Sequence, residues 1–261
     1  MDDIKILVVA HKPYRMPDDP IYFPIQVGDG PDMPGFRRDN AGDNIAETNP
    51  RFCELTALYW AWKNLDADYI GLTHYRRHFT YAGLFKRLAS KDKFLWILNG
   101  DDLRRELLKT DVIVPNKRKY YIETMESHFL HTDYIREKDY KILRETIAEM
   151  TPEYLDAYDL VMNRTWAHMF NMFVMKREFL NQYCEWAFPI LFECDRRIDM
   201  TGYSTEQKRM IGYFGEFMTD IWLEKNQISY HEINVMFMEK QNWLKKGGSF
   251  LIRKLRGKIS P

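Results

Sequence analysis

The residues able to do chemistry in this chain fall into a few short strings. The first is His74-Tyr75-Arg76-Arg77-His78, which closes a mostly apolar run, Tyr69 to Thr73. Two guanidinium groups in succession neutralise phosphate oxygens and fork onto them through paired N–H bonds. The same string also reads as a solvated basic loop, and spacing alone leaves both readings open. A second cationic string, Asn116 to Tyr121, carries Lys117, Arg118 and Lys119 and follows another apolar run, Asp111 to Pro115. Short basic runs are usually solvated surface, but two such tips after two strands suggest one anionic pocket. A third constellation is Glu216 and Asp220, four residues apart in an amphipathic segment, so that both carboxylates face one way. Two exposed helix carboxylates would share that spacing. His128 and His131 are three apart, as helix-borne metal ligands are. No Cys, Asp or third His completes a set, so no metal site is expected there.

The elements that must position these strings follow from periodicity. Lys5 to Ala10 is a continuous apolar run of the kind found in central parallel strands. Residues 13–48 are dense in Pro and Gly and form an ordered loop with short extended pieces such as Ile25-Gln26-Val27. Pro50 suits a first helical position, and Phe52, Leu55, Tyr59 and Trp62 then make one apolar face, which predicts a helix over 49–64. The strand 69–73 follows. Residues 80–100 form a basic and apolar flap. A helix is expected from Asp101, a strand over 111–115 and helices over 123–131 and 139–150. A strand over 166–175, a helix over 177–192 kinked or broken near Pro189, a helix over 207–226 and a last strand over 229–235 complete the series. The expected organisation is one α/β domain over 1–238 and a basic amphipathic tail over 239–261.

Composition narrows the function. Lys plus Arg and Asp plus Glu both number 38 in 261 residues, so the chain has no net charge and nucleic acid is not an expected partner. Three cysteines, Cys53, Cys184 and Cys194, have neither disulfide-framework nor zinc spacing and suit a reducing cytoplasm. The N-terminus lacks the cationic start and apolar centre of a signal peptide, and no stretch reaches the roughly 18 apolar residues of a spanning helix.

The ordered string Asp43, Asn44, Ile45, then Asn49, Phe52, Glu54, Leu55, Thr56, Tyr59 to Asn64 and Asp68 to Arg77 resembles a bacterial family long catalogued as a domain of unknown function. That family is associated with capsule and exopolysaccharide assembly and is regarded as glycosyltransferases. The resemblance continues through His168 to Met175 and Gly212 to Leu223, and so covers most of the chain. It implies a GT-A-like, Rossmann-related fold with a central, mostly parallel sheet flanked by helices. It also implies a UDP-sugar donor, in some members galactofuranose, and a glycan or lipid-linked acceptor.

On that reading, Ala10 and His11 at the first strand end lie beside the nucleotide, and His74, Tyr75, Arg76 and Arg77 hold the diphosphate. Asp43 and Asn44 either hold sugar or ribose hydroxyls or cap turns and the helix start. By the resemblance, His168 and Asn171 are the polar members expected to touch the acceptor sugar; a core histidine that only satisfies a buried hydrogen bond is the other reading of His168. An inverting transferase needs a carboxylate to take the acceptor proton; Glu216 is the first candidate and Asp220 the second, whereas a retaining mechanism needs no such base. Many transferases of this class hold a divalent ion with Asp-x-Asp at a strand end. Asp66-Ala67-Asp68 has that spelling but precedes its strand, so arginine rather than Mn2+ or Mg2+ is expected to stabilise the leaving diphosphate.

The tail from Lys240 to Lys258 mixes Lys and Arg with Trp243, Phe250, Leu251, Ile252 and Leu255. Such a segment lies on anionic bilayers, which predicts a cytoplasmic protein attached peripherally to the inner face of the membrane; a disordered basic terminus has the same composition. Two further functions remain in view: a noncatalytic nucleotide- or sugar-binding subunit of a polysaccharide assembly complex, and another phosphate-handling enzyme. The latter should show a Gly-rich phosphate loop or clustered carboxylates, and neither is present in the sequence.

Overall fold

The apolar run near the N-terminus shows no polar alternation because both of its faces are covered. In the computed structural model, which describes residues 2–131 and 134–239, strand β1 (Ile4–Ala10) sends Leu7 and Val9 into one apolar cluster. Ile4, Ile6, Val8 and Ala10 enter another across the sheet. Among the described residues the further strands are β2 (Tyr22–Gln26), β3 (Arg37–Arg38), β4 (Tyr69–His74), β5 (Arg77–Thr80), β6 (Val112–Pro115), β7 (Arg118–Lys119), β8 (Trp166–Ala167), β9 (Phe173–Lys176) and β10 (His231–Phe237). The helices are α1 (Asn49–Phe52), α2 (Leu55–Asn64), α3 (Leu84–Ala89), α4 (Gly100–Leu107), α5 (Met125–Leu130), α6 (Glu137–Met150), α7 (Leu155–Asn163), α8 (Arg177–Arg197) and α9 (Met210–Lys225).

The central sheet has the order β3-β2-β1-β4-β5-β10-β6-β9, with β9 also paired to β4, while β7 and β8 form a separate two-stranded ladder. The expectation of a mostly parallel sheet is corrected: the sheet is mixed. The pairs β2–β3, β1–β2, β1–β4 and β6–β10 are parallel, and β4–β5, β5–β10, β4–β9 and β6–β9 are antiparallel. A parallel pair needs a crossover connection, and β5 has none: it folds back from β4 through Tyr75 and Arg76, so that His74 faces Arg77. Gly71 permits the crowding around β4, since a Cβ there would lie 2.5 Å from Ile6 Cδ1 and 3.1 Å from the Phe173 carbonyl.

Three other expectations are corrected. The helix over 49–64 is two helices, because Cys53 between them has φ 53°. The strand over 166–175 is also two pieces, interrupted where Phe170 and Asn171 adopt φ 85° and 50°. Conversely, α8 runs unbroken past Pro189 to Arg197, since Phe188, Ile190, Leu191 and Cys194 are buried around the proline and packing holds the turn that it weakens. The three cysteines are free thiols. No described helix is long and apolar enough to cross a membrane. The basic tail from Lys240 onward lies outside the described residues.

Candidate active site

The carboxyl ends of β1 and β4 lie side by side, as parallel neighbours must, and they bring two of the sequence strings together. The Tyr75 N–H donates to the Val9 carbonyl at 3.1 Å. Its buried ring is flanked by the rings of His11 at 5.5 Å, Tyr14 at 4.9 Å and His74 at 4.3 Å, with Lys12 Nζ and the Arg76 guanidinium at 5.5 and 5.2 Å. Ala10, His11, His74, Tyr75, Arg76 and Arg77 therefore form one group. Burial pulls the His74 imidazole down to about 2, with Arg77 and Arg76 pushing the same way, so it is neutral at physiological pH. Burial and then Arg76 lower His11 as well. Neutral imidazoles leave the positive charge of this tip to Arg76, Arg77 and Lys12.

Helix α9 brings Glu216 to the same place. Burial pushes this half-buried carboxyl up to about 7, and Glu54 pushes in the same direction; Arg77, Arg118 and the Phe170 N–H oppose. A side chain that changes protonation near neutral pH can take up and release a proton under working conditions. Burial also lowers Arg77, which Glu216 and Glu54 counteract, and its guanidinium sits 4.5 Å from the centre of the Phe170 ring. The second cationic tip meets the first here, through Arg118 on β7.

Glu54 owes its position to the interruption between α1 and α2. A non-glycine residue in a sparse backbone region costs about 1–3 kcal/mol and persists only where its surroundings hold it. Cys53 is so held. Its N–H bonds to the Asn49 carbonyl at 2.9 Å, its carbonyl accepts from Asn49 Nδ2 at 2.9 Å, and its sulfur accepts from Arg209 Nε at 3.3 Å. Burial pushes the Cys53 thiol up to about 11, so it stays uncharged. Gly212 and Gly215 let α9 approach the break: a Cβ on the first would lie 3.0 Å from Cys53 Sγ, and one on the second 2.8 Å from Leu55 Cδ1. Asn171 closes the arrangement, with Nδ2 donating to Glu54 Oε1 and to the Gly212 carbonyl, both at 3.0 Å. Asn171 thus lies beside Glu54 and orients its carboxylate.

Asp220 does not share this environment. It is buried one helical turn on, and its carboxylate accepts from the His168 N–H at 2.9 Å and contacts His168 Nδ1 at 2.5 Å. Both oxygens are committed, so Asp220 is not placed to act as a base, and the second candidate is corrected to a residue that holds His168. His168 is itself buried, with Nε2 3.6 Å from Glu232 Oε1, and Glu232 pairs with Lys117 Nζ at 2.9 Å.

Asp43 and Asn44 are also set apart. The Asp43 N–H bonds to Asn64 Oδ1 at 3.1 Å, and its carboxylate accepts from the Tyr59 hydroxyl at 3.2 Å. Asn64 ends α2 whereas Glu54 precedes it, so ten residues of helix, ~15 Å, separate Asp43 from the site. Asn44 accepts from the Ala46 N–H at 3.2 Å and donates to the Gly42 carbonyl at 2.9 Å. The bonds the pair makes here are local, within the turn and to Tyr59 and Asn64 of α2.

Asp68 precedes β4 and accepts from the Asp3 N–H at 2.7 Å, away from the tip. His128 and His131 both turn Nδ1 to the Glu123 carboxylate, at 3.2 and 3.1 Å. Among the described residues no group of three or more His, Cys, Asp or Glu is arranged to hold a metal ion.

Sequence reasoning missed Glu54 as a site residue and read Arg118 only as part of a basic run. Glu54 looks like a polar-face residue of a continuous helix, and nothing in the string around Cys53 announces a left-handed backbone. Chemically, the site offers a proton acceptor near neutral pH beside two arginines at the carboxyl edge of parallel strands, where α/β sheets bind ligands.

The family described as a domain of unknown function, DUF4422, matches residues 5–227 of the chain. Among solved structures, the bifunctional glycosyltransferase WbbM in its apo form is similar, with a TM-score of 0.83 and 29% identity. The match covers 92% of this chain and 46% of WbbM, so the chain spans about half the length of that structure. No curated protein matches.

Proposed function

The chain belongs to the DUF4422 family, and from that premise we propose that it is a glycosyltransferase with a GT-A-like site that moves a hexosyl group from a UDP-sugar to a glycan or lipid-linked acceptor. The observation that carries this reading is Glu216, a carboxyl pushed up to about 7 and placed with Glu54, Arg77 and Arg118. The likeness to WbbM supports it, because that protein is a glycosyltransferase.

In the proposed reaction the ionised Glu216 takes the proton of the acceptor hydroxyl as its oxygen attacks the anomeric carbon. The bond from that carbon to the UDP oxygen breaks, the electron pair leaves with the diphosphate, and the configuration inverts. Arg76 and Arg77 supply the charge that the departing diphosphate needs, in place of a divalent ion. The exposed His11 is the residue proposed to touch the nucleotide beyond β1, with the buried Tyr75 ring packed behind it. Galactofuranose is the first donor sugar to try, and surface-polysaccharide synthesis is the proposed setting. A noncatalytic binding subunit would have no use for a carboxyl tuned to neutral pH.

The test is UDP binding by calorimetry in EDTA and in Mn2+, followed by a screen of UDP-hexoses for donor consumption. Binding that ignores EDTA and weakens in Arg77→Ala is expected. Binding only with Mn2+ would overturn the arginine site, and no binding in either condition would overturn the UDP-sugar reading.

A further inference from the structure

The flap that follows β5 carries an apolar surface with no role in the site above. Leu84 is 65% exposed, Phe85 82% and Leu88 61% on α3, and Leu95 in the short 3-10 turn Lys93–Trp96 is 74% exposed. Leu84 and Leu88 lie one turn apart with Phe85 beside them, so the three share a side of α3. Singly exposed leucines need no explanation, but four large side chains clustered on one flap do.

The flap itself is mostly basic, and Asp102, which lines the same hollow as Leu84, Phe85 and Leu95, is paired with Arg105. Residues 81–99 contain Lys86, Arg87, Lys91 and Lys93 against Asp92 alone, in a chain that is neutral overall. Lys86 and Lys91 are exposed, and Lys86 Nζ rests 4.0 Å from the centre of the Trp96 ring, which itself donates to Ser90 Oγ at 3.0 Å. Arg15 stacks on Phe94 at 4.2 Å and donates from Nη1 to both oxygens of Asp92, at 3.1 and 3.0 Å, which occupies the flap's one acidic group. Bulky apolar side chains rimmed by lysines match a surface that is apolar below and anionic at its boundary.

The flap is fastened rather than loose. Arg87 Nη1 donates to the Val235 carbonyl at 3.3 Å and Lys93 Nζ to the Phe237 carbonyl, both on β10. Strand β10 also pairs with β5, which starts at Arg77. The patch is thus rigidly linked to the strand that carries a site arginine, and it adjoins the end of β10, from which the basic tail continues.

We propose that α3 and the turn at Lys93–Trp96 form a membrane-docking surface that inserts Leu84, Phe85, Leu88 and Leu95 into an anionic lipid bilayer, with Lys86 and Lys91 at the headgroups. A surface fixed to β5 and β10 would set the height and orientation of the site over the bilayer. This inference does not depend on the sugar or on the transferase reading.

The experiment is flotation of the full chain with phosphatidylcholine vesicles and with vesicles that also contain phosphatidylglycerol. The comparison proteins are the triple variant Leu84→Ser/Phe85→Ser/Leu95→Ser, the pair Lys86→Glu/Lys91→Glu and the tail variant Lys245→Ser/Lys246→Ser/Arg253→Ser/Lys254→Ser. Circular dichroism melting serves as the fold control. The unaltered chain is expected to float with phosphatidylglycerol, and the triple variant to partition at least about tenfold more weakly with its tail intact. The lysine pair should lose its preference for phosphatidylglycerol, whereas the tail variant should keep binding that depends on Phe85. A triple variant that floats like the unaltered chain overturns the proposal. So does a chain that floats with neither vesicle, or one that self-associates through the patch and is made monomeric by the triple substitution.

Discussion

Glu216 and Asp220 lie four residues apart on α9, and their fates differ because of what each meets. Asp220 meets a backbone N–H and an imidazole, both within hydrogen-bond distance, and is held in a buried, saturated cluster. Burial first, and then the neighbouring Glu54 carboxylate, raise Glu216 to about 7 against the opposing pull of Arg77, Arg118 and the Phe170 N–H. A shared helix face fixes direction but not environment. Residues far along the chain decide which carboxylate is held: His168 takes both oxygens of Asp220, while Glu54, at the break after Cys53, and Arg77, on β5, act on Glu216.

The sharpest way to break this contrast is to remove each carboxylate in turn. Glu216→Gln should lower turnover by about 10²- to 10⁴-fold, measured as release of UDP from the donor, while UDP binding by calorimetry persists. If Asp220→Asn lost as much turnover and remained as stable as the parent, the contrast would be wrong. Arg77→Ala should follow, at about 10²- to 10³-fold. Loss of the cation that lowers Glu216 should also move the midpoint of its pH–rate profile upward, which a merely structural arginine would not do.

Asp220→Ala should act on stability instead. It leaves the His168 N–H and ring nitrogen without their acceptor in a buried setting, at a cost of about 3 kcal/mol or more in urea unfolding. Glu216→Gln should do the opposite. The folded-state value of Glu216 is raised above the ordinary carboxylate range. Its contribution to stability is therefore fully present below pH ~4.5 and is lost as pH rises through about 7. At pH 8 the ionised side chain is a burden, and Glu216→Gln should be about 1–3 kcal/mol more stable than the parent, the lower figure allowing for the partner that Arg77 loses. At pH 4 the two should unfold alike. The smallest effect belongs to Glu54→Gln, which removes the like charge and should lower the Glu216 midpoint by roughly one pH unit.

How much of this was legible in the sequence depends on whether local pattern or distant contact sets each feature. The strands β1, β4, β6 and β10 stand out because burial on both faces leaves uninterrupted apolar runs, and the amphipathic stripe of α9 marks Glu216 as a carboxylate on an otherwise packed helix. Strand β5 begins inside the cationic string, at Arg77, so its strand character is masked by residues chosen for charge. The left-handed Cys53, Phe170 and Asn171 are not residue types that announce positive φ, and partners far along the chain hold them there. Asp220 could not be told from Glu216, because its partner His168 is 52 residues away. Asp43 and Asn44 precede the helix pair in sequence, but Asn64 draws Asp43 to the far end of α2.

The role of Glu216 as a proton acceptor beside Arg77 is tested most directly by its titration by carboxyl 13C NMR, assigned by the resonance missing from Glu216→Gln. A midpoint near pH 7 that moves when UDP is added is the expected result. A midpoint in the ordinary carboxylate range near 4.5, indifferent to UDP, would contradict it.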